Sequence, residues 1–366
     1  METLKVVVVD DTIVYRKIVG DVLKAIPGVE VVGTANNGKI ALSKIAAFSP
    51  DLITLDIEMP EMNGIEVLQE LHKLPSPPKV VMLSTLTREG SEMTIRALEL
   101  GAFDFVPKPD DGTMAENMLK VKQALEPIVY ALKRQQTTRF NLRTRLSSQV
   151  PLKKTEPKPV TPKMPLVARV HLKTKSEIIG IGISTGGPNA LTRMIPMLPA
   201  DFKAPILIVQ HMPPMFTASL ANSLNNKSKL EVKEAEDGDV ILPGRILIAP
   251  GGRQMKIVAG GDGISRKIKI TDDPPENSCR PSVDYLFRSI AQHYVGRATG
   301  VIMTGMGSDG SKGLALMKKN GSQVIAQDEA TCTVFGMPKE PIESGIADVI
   351  APLDKIADEI VKTVNL

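Results

Sequence analysis

The chain is expected to form two doubly wound α/β domains, each a parallel sheet flanked by helices, joined by a flexible basic linker. Three observations support this. Short apolar runs alternate with stretches of helical periodicity through residues 1–124, and the same rhythm returns through residues 176–366. Between them, residues 125–175 finish a helix and then turn basic and rich in Pro, Thr and Lys, a composition that cannot bury a core. Acidic, hydroxyl and imidazole side chains gather just beyond the apolar runs, at the strand ends where parallel α/β sheets bind ligands.

With 366 residues, 42% of them hydrophobic and 23% charged, the chain has the length and composition for two globular cores. No apolar run reaches the length of a membrane span, and Met1-Glu2-Thr3-Leu4-Lys5 lacks a signal-peptide pattern, so membrane insertion is not expected. Two cysteines, Cys279 and Cys332, are too few for a disulfide framework, which points to a cytoplasmic protein. The net charge of +4 resides in the linker, where residues 133–175 hold about 12 Lys/Arg against one acid, Glu156. The rest of the chain is mildly acidic and Phe140 is the linker's one aromatic residue, so a solvated tether is expected there and not a nucleic-acid site.

In the first half, strands are expected at 5–9, 29–35, 52–55, 79–83 and 103–106, with helices at 13–25, 38–48, 64–74, 91–100 and 115–132. Asp10 and Asp11 follow the first strand, Asp56 the third, Ser84 the fourth and Lys108 the fifth. Three carboxylates at one crevice repel one another unless a divalent cation joins them, and oxygen ligands suit Mg²⁺. Any one of these aspartates could instead cap a helix.

These positions resemble the receiver domains of two-component response regulators. The resemblance rests on Asp10-Asp11, on Asp56 within Leu55-Asp56-Ile57-Glu58-Met59-Pro60, and on Ser84, Phe105 and Lys108. It implies a flavodoxin-like fold in which Asp56 takes a phosphoryl group from a sensor histidine kinase, with Mg²⁺ held by Asp10, Asp11 and Asp56. Ser84 and Phe105, with Lys108, would then form the switch.

In the second half, Glu177 to Ile183 is an apolar strand that ends in Ser184-Thr185-Gly186-Gly187-Pro188, a turn leading into a helix. Gly182-Ile183-Ser184-Thr185-Gly186 fits G-x-S-x-G, whose flanking glycines would let an elbow expose the Ser184 hydroxyl. Backbone N–H groups of Thr185 to Gly187 could then serve an oxyanion. A phosphate-binding loop and a purely structural turn are the alternatives. Further strands are expected at 205–209, 245–249 and 300–303, helices at 190–197, 216–225, 282–293 and from 311, and an antiparallel excursion at 244–263. A serine nucleophile needs an imidazole. His72 falls in a helix, His171 in the linker and His293 at a helix end, whereas His211 ends the strand expected beside that of Ser184. Asp309, after another strand, is the candidate carboxylate, with a helix cap as its alternative role.

Gly182 to Pro188, Gln210-His211-Met212-Pro213, Arg280-Pro281-Ser282-Val283-Asp284, Met303 to Gly310 and Gly336-Met337-Pro338 together resemble the CheB family of chemotaxis protein-glutamate methylesterases. That resemblance implies a Rossmann-like second domain with a Ser184, His211, Asp309 triad and an oxyanion donor at Met306, which would join Thr185 from the turn. It also implies phosphorylation-activated hydrolysis of γ-glutamyl methyl esters on methyl-accepting chemotaxis receptors, and deamidation of receptor glutamines, with no cofactor for the ester chemistry. Gln254 and Cys279 depart from the pattern, since histidine is expected there in many relatives. An inactive anion-binding module and a DNA-binding regulator are the competing readings; the latter needs a helix-turn-helix where the sequence repeats α/β.

Overall fold

Strands buried on both faces dictate parallel pairing in the first unit, as in Val6 to Val9, which are fully buried. The computed structural model describes residues 3–109, 111–147, 174–263 and 265–365, with the backbone alone for 135–147. β1 (Leu4–Val9), α1 (Ile13–Lys24), β2 (Val29–Ala35), α2 (Gly38–Phe48), β3 (Leu52–Asp56), α3 (Gly64–Leu71), β4 (Lys79–Thr85), α4 (Arg88–Glu99), β5 (Asp104–Lys108) and α5 (Met114–Ser147) alternate strictly. The strands pair in parallel in the order β2-β1-β3-β4-β5. β1 therefore lies beside β3, which brings Asp10 and Asp56 to one edge. Helices α2, α3 and α4 are capped by Asn37, Asn63 and Thr87, so Asp56 is not a helix cap, while Asp10 Oδ1 accepts the N–H and hydroxyl of Thr12 just before α1.

The helix expected at 115–132 continues to Ser147, so the first part of the expected linker is helical. No Gly or Pro interrupts residues 133–147, and Arg, Lys, Gln and Leu favour helix. The rest of that linker, 148–173, with Lys153, Lys163 and His171, lies outside the described residues.

The second unit contains β6 (Ile178–Ile183), α6 (Gly187–Met194), β7 (Ile206–Gln210), α7 (Phe216–Asn225), β8 (Glu231–Glu234), β9 (Arg245–Ile248), β10 (Gln254–Ala259) and β11 (Arg266–Thr271). It continues with α8 (Val283–His293), β12 (Ala298–Ile302), α9 (Ser311–Lys319), β13 (Gln323–Gln327), α10 (Lys339–Glu343), β14 (Val349–Ala351) and α11 (Leu353–Val364). Seven parallel strands run β14-β13-β12-β6-β7-β9-β8, which leaves β6 between β12 and β7. The antiparallel excursion falls later than expected. β9 joins the main sheet, and β10 with β11 forms the separate hairpin, burying Met255, Ile257, Ile268 and Ile270 on one face.

Gly180 and Gly182 let α8 lie directly on the sheet. A Cβ on Gly180 would come within 2.6 Å of Ile290, and one on Gly182 within 2.4 Å of Val283. Gly182 thus serves helix packing, and Gly186, with φ 75°, makes the turn.

The two units meet through α4 and β5 of the first and α6 and α7 of the second. Phe105 stacks on Phe216 with ring centroids 4.6 Å apart, and Ser91 Oγ lies 2.7 Å from Ser219 Oγ. Asn189 donates to the Ala102 carbonyl at 3.0 Å, and Lys227 pairs with Glu99 at 2.5 Å. Asp104 accepts a hydrogen bond from Thr185, and burial pushes its carboxyl up to about 7. The first unit therefore touches the turn that carries Ser184.

Gly182→Ala is expected to destabilise the protein by about 1–3 kcal/mol through overpacking against Val283. Urea unfolding would show a lower midpoint at unchanged slope. An unchanged midpoint would mean that α8 has room to move.

Candidate active site

Parallel register places Ser184 and His211 side by side. Ile183 pairs with Gln210, so the next residue on each strand emerges at the same carboxyl edge, and His211 N–H donates to the Ile183 carbonyl at 3.2 Å. The Ser184 backbone is held on both sides. Its N–H donates to Thr304 at 3.0 Å, while its carbonyl accepts from Gly187 N–H at 2.7 Å and from Gln210 Nε2 at 3.0 Å. A Cβ on Gly305 would lie 2.8 Å from Ser184 Cβ, so the segment leading to Met306 runs alongside the serine.

Asp309 is 3% exposed and accepts hydrogen bonds at both carboxylate oxygens. Oδ1 takes Asn277 Nδ2 at 2.8 Å, Ser282 Oγ at 2.9 Å and Asp284 N–H at 3.1 Å. Oδ2 takes Val283 N–H at 2.7 Å and faces His211 Nε2 at 2.9 Å. The carboxylate thus sits at the N-terminus of α8, where unpaired N–H groups and the helix dipole favour an anion. Burial alone would raise its pKa, but the His211 bond and charge, Val283 N–H and Asn277 outweigh it and hold the carboxyl below the usual value. The alternative capping role is not realised, since Gly310 precedes α9.

His211 presents Nε2 to Asp309 and Nδ1 to Cys279 Sγ, 3.7 Å away. Among the described residues, no hydrogen bond joins its ring to Ser184 Oγ, since its two nitrogens face Asp309 and Cys279. Burial disfavours the imidazolium, yet Asp309 and Cys279 prevail and raise its pKa to about 9. Among the described residues the other histidines stand apart: His72 Nδ1 meets its own helix at Leu68, and His293 closes α8.

Sequence reasoning missed the supports of Asp309. Asn277 donates to both Asp309 and Asp284, and Asp284 in turn accepts Gly313 N–H at 2.7 Å. The signal was Ser282-Val283-Asp284 opening a helix, an N-terminus with donors to spare.

In the first unit Lys108 Nζ lies 2.7 Å from both Asp10 and Asp56, and carboxylate oxygens of Asp10, Asp11 and Asp56 fall within 4.8 Å of one another. Burial raises Asp56 to about 6, Lys108 pulls it down, and Asp10 and Asp11 add repulsion. One ammonium among three carboxylates leaves an excess of negative charge, and the all-oxygen set fits a hard divalent cation. Ser84 Oγ is bonded to α4, taking the Thr94 hydroxyl at 2.6 Å and donating to the Gly90 carbonyl at 3.2 Å.

A family model for the CheB methylesterase matches residues 179–360, and one for the response regulator receiver domain matches residues 6–119. The protein-glutamate methylesterase/protein-glutamine glutaminase of Desulfotalea psychrophila is 57% identical over the full length of both chains. The chain belongs to the CheB methylesterase family. The same-named protein of Treponema denticola is 42% identical over 98% of each chain. The crystal structure of the Thermotoga maritima CheB methylesterase catalytic domain aligns with a TM-score of 0.50 at 45% identity, covering 52% of this chain and 99% of that one. This CheB family member carries Cys279 against the imidazole, and among its described residues no helix is long and apolar enough to cross a membrane.

If neutral His211 is the working base, its raised pKa moves the rate profile upward in pH. Below a pKa of about 9 the neutral form shrinks as pH falls, so kcat/KM is expected to climb from pH 7 to 9. A pH–rate profile that levels near the reference value of about 6.5 would contradict this.

Proposed function

We propose that this protein hydrolyses γ-glutamyl methyl esters on methyl-accepting chemotaxis receptors, releasing methanol, and deamidates receptor glutamines by the same route. The observation that carries the reading is the buried Asp309–His211 pair beside Ser184 at adjoining strand ends. Ser184 Oγ attacks the ester carbonyl carbon while the imidazole takes its proton. With Nε2–H donated to Asp309, the nitrogen left to accept that proton is Nδ1, which turns from Cys279 to the serine to do so. Backbone N–H groups at Met306 and Thr185 stabilise the oxyanion. The C–O bond to methoxide then breaks, the imidazolium returns the proton to form methanol, and water hydrolyses the acyl-enzyme by the reverse sequence. Asp309 holds the tautomer and orientation of His211.

The receiver would be phosphorylated on Asp56 by a sensor histidine kinase, with Asp10, Asp11 and Asp56 holding Mg²⁺, which neutralises phosphoryl charge. The contacts of Asp104 with Thr185 and of Phe105 with Phe216 support a gating role for this domain. Drawing Ser84 toward a phosphoryl group would break its bonds to Thr94 and Gly90 in α4, the helix that packs on α6 and α7. Release of that face would open the way to Ser184.

Methanol release from a methylated receptor fragment tests the chemistry. Ser184→Ala is expected to abolish it, and Asp309→Asn to lower turnover roughly 10³–10⁴-fold with the fold intact. Substantial methanol release by the serine variant would sink the mechanism. For the gate, removal of residues 1–147, or Glu99→Lys to repel Lys227, is expected to raise basal activity. Asp56→Ala should keep the basal rate and lose stimulation by a phosphoryl donor. A truncated protein no faster than the unphosphorylated chain would leave no place for a lid.

A further inference from the structure

The imidazole nitrogen turned away from Asp309 meets a sulfur. His211 Nε2 is 2.9 Å from Asp309 Oδ2, and Nδ1 faces Cys279 Sγ at 3.7 Å. Nitrogen and sulfur ligands at about 2.05 and 2.3 Å from one tetrahedral zinc stand about 3.5 Å apart, close to the observed spacing. A carboxylate behind a histidine is also the usual support of a metal-binding imidazole, fixing its tautomer and raising its basicity.

Cys279 is held in place by its backbone. Asn277 and Ser278 adopt left-handed conformations, with φ 52° and 61°. Glu276 and Cys279 exchange backbone hydrogen bonds at 3.1 and 2.9 Å, and Gln254 Nε2 reaches the Cys279 carbonyl at 3.4 Å. The thiol is thereby aimed at the ring.

We propose that His211 Nδ1 and Cys279 Sγ form a binding site for a thiophilic divalent cation of the zinc class, and that its occupation switches off the active site. Asp309 lies beside the pair, with potential ligand atoms of all three residues within 4.8 Å. It acts from behind His211, because its oxygens already accept from Asn277, Ser282, Val283 and Asp284. On binding, the Cys279 thiol and the protonated fraction of His211, at Nδ1, release their protons to solvent, a metal–sulfur and a metal–nitrogen bond form, and water fills the remaining positions; nothing is oxidised or reduced. The Nδ1 lone pair is then committed to the metal and cannot accept a proton from Ser184. A hard cation such as Mg²⁺ is excluded by the soft ligand pair and goes to the carboxylates around Asp56. Cys332 is a poor competitor, because burial pushes its thiol up to about 12.

The binding half of this inference is independent of the esterase reading; the inhibition half rests on it. The test uses the full-length protein in excess Mg²⁺. Titration with Co²⁺ as a spectroscopic probe is expected to give a thiolate-to-cobalt charge-transfer band at one equivalent. Cys279→Ser, Cys279→Ala and His211→Ala should each lose the band, while Cys332→Ser keeps it. With Zn²⁺, methanol release should fall and recover on adding EDTA. Cys279→Ser should raise the half-inhibiting zinc concentration at least about tenfold, judged against its own metal-free rate. Absence of the band, or equal zinc inhibition with and without Cys279, would overturn the site. A band in a protein that releases no methanol would uphold the metal site and refute the esterase reading.

Discussion

The buried carboxylate of Asp309 at the N-terminus of α8 is the interaction on which the rest of the site depends. A charge so enclosed is costly unless every lone pair is used, and here five donors converge on two oxygens. Three of the five come from residues 282–284, so α8 must reach the end of the sheet. It can do so because Gly180 and Gly182 leave no side chain between strand and helix. His211 is then oriented by a group that is itself immobile, and the ring nitrogen opposite Asp309 is decided with it. Both the proposed proton transfer and the proposed metal site use that nitrogen, which makes them mutually exclusive.

A second chain of contacts joins the two units. Ser84 is bonded to Thr94 and Gly90 in α4, α4 lies against α6 and α7, and Phe105 from the neighbouring strand stacks on Phe216. Asp104 reaches Thr185, one residue from Ser184. The Asp56 pocket and the Ser184 turn are thus linked through packed elements and not through the linker. A small movement of Ser84 has somewhere to go, which is the physical basis of the proposed gate.

Much of the architecture was legible because buried parallel strands read as uninterrupted apolar runs. The five strands of the first sheet, the positions of Asp10, Asp56 and Lys108 at its edge, and the helix Phe216–Asn225 all follow from that signal. Where the pattern failed, a competing force explains it. Residues 133–147 were read as tether from their charge, yet they hold no Gly or Pro and are mostly Arg, Lys, Gln and Leu, and α5 extends to Ser147. The antiparallel excursion expected at Gly244–Gly263 does form, as β10 with β11, but it begins after β9 and runs on to Thr271, where one face alone is apolar.

By itself the sequence determined which residues could do chemistry: a serine in a glycine turn, one histidine of four at a strand end, and an aspartate after a strand. Hydrophobic periodicity is local, so it places residues at strand ends without needing the fold. The tertiary structure alone decided what each residue faces. Asn277, Ser282 and Asp284 hold Asp309 across 25 to 32 residues of chain, and Cys279 meets His211 across 68. Such contacts leave no periodic trace, because they are made by side chains and backbone donors that only packing of α8 on β6 brings together. Gly182 shows the difference plainly: in sequence it reads as part of an elbow, and in the fold it is the gap that lets Val283 approach.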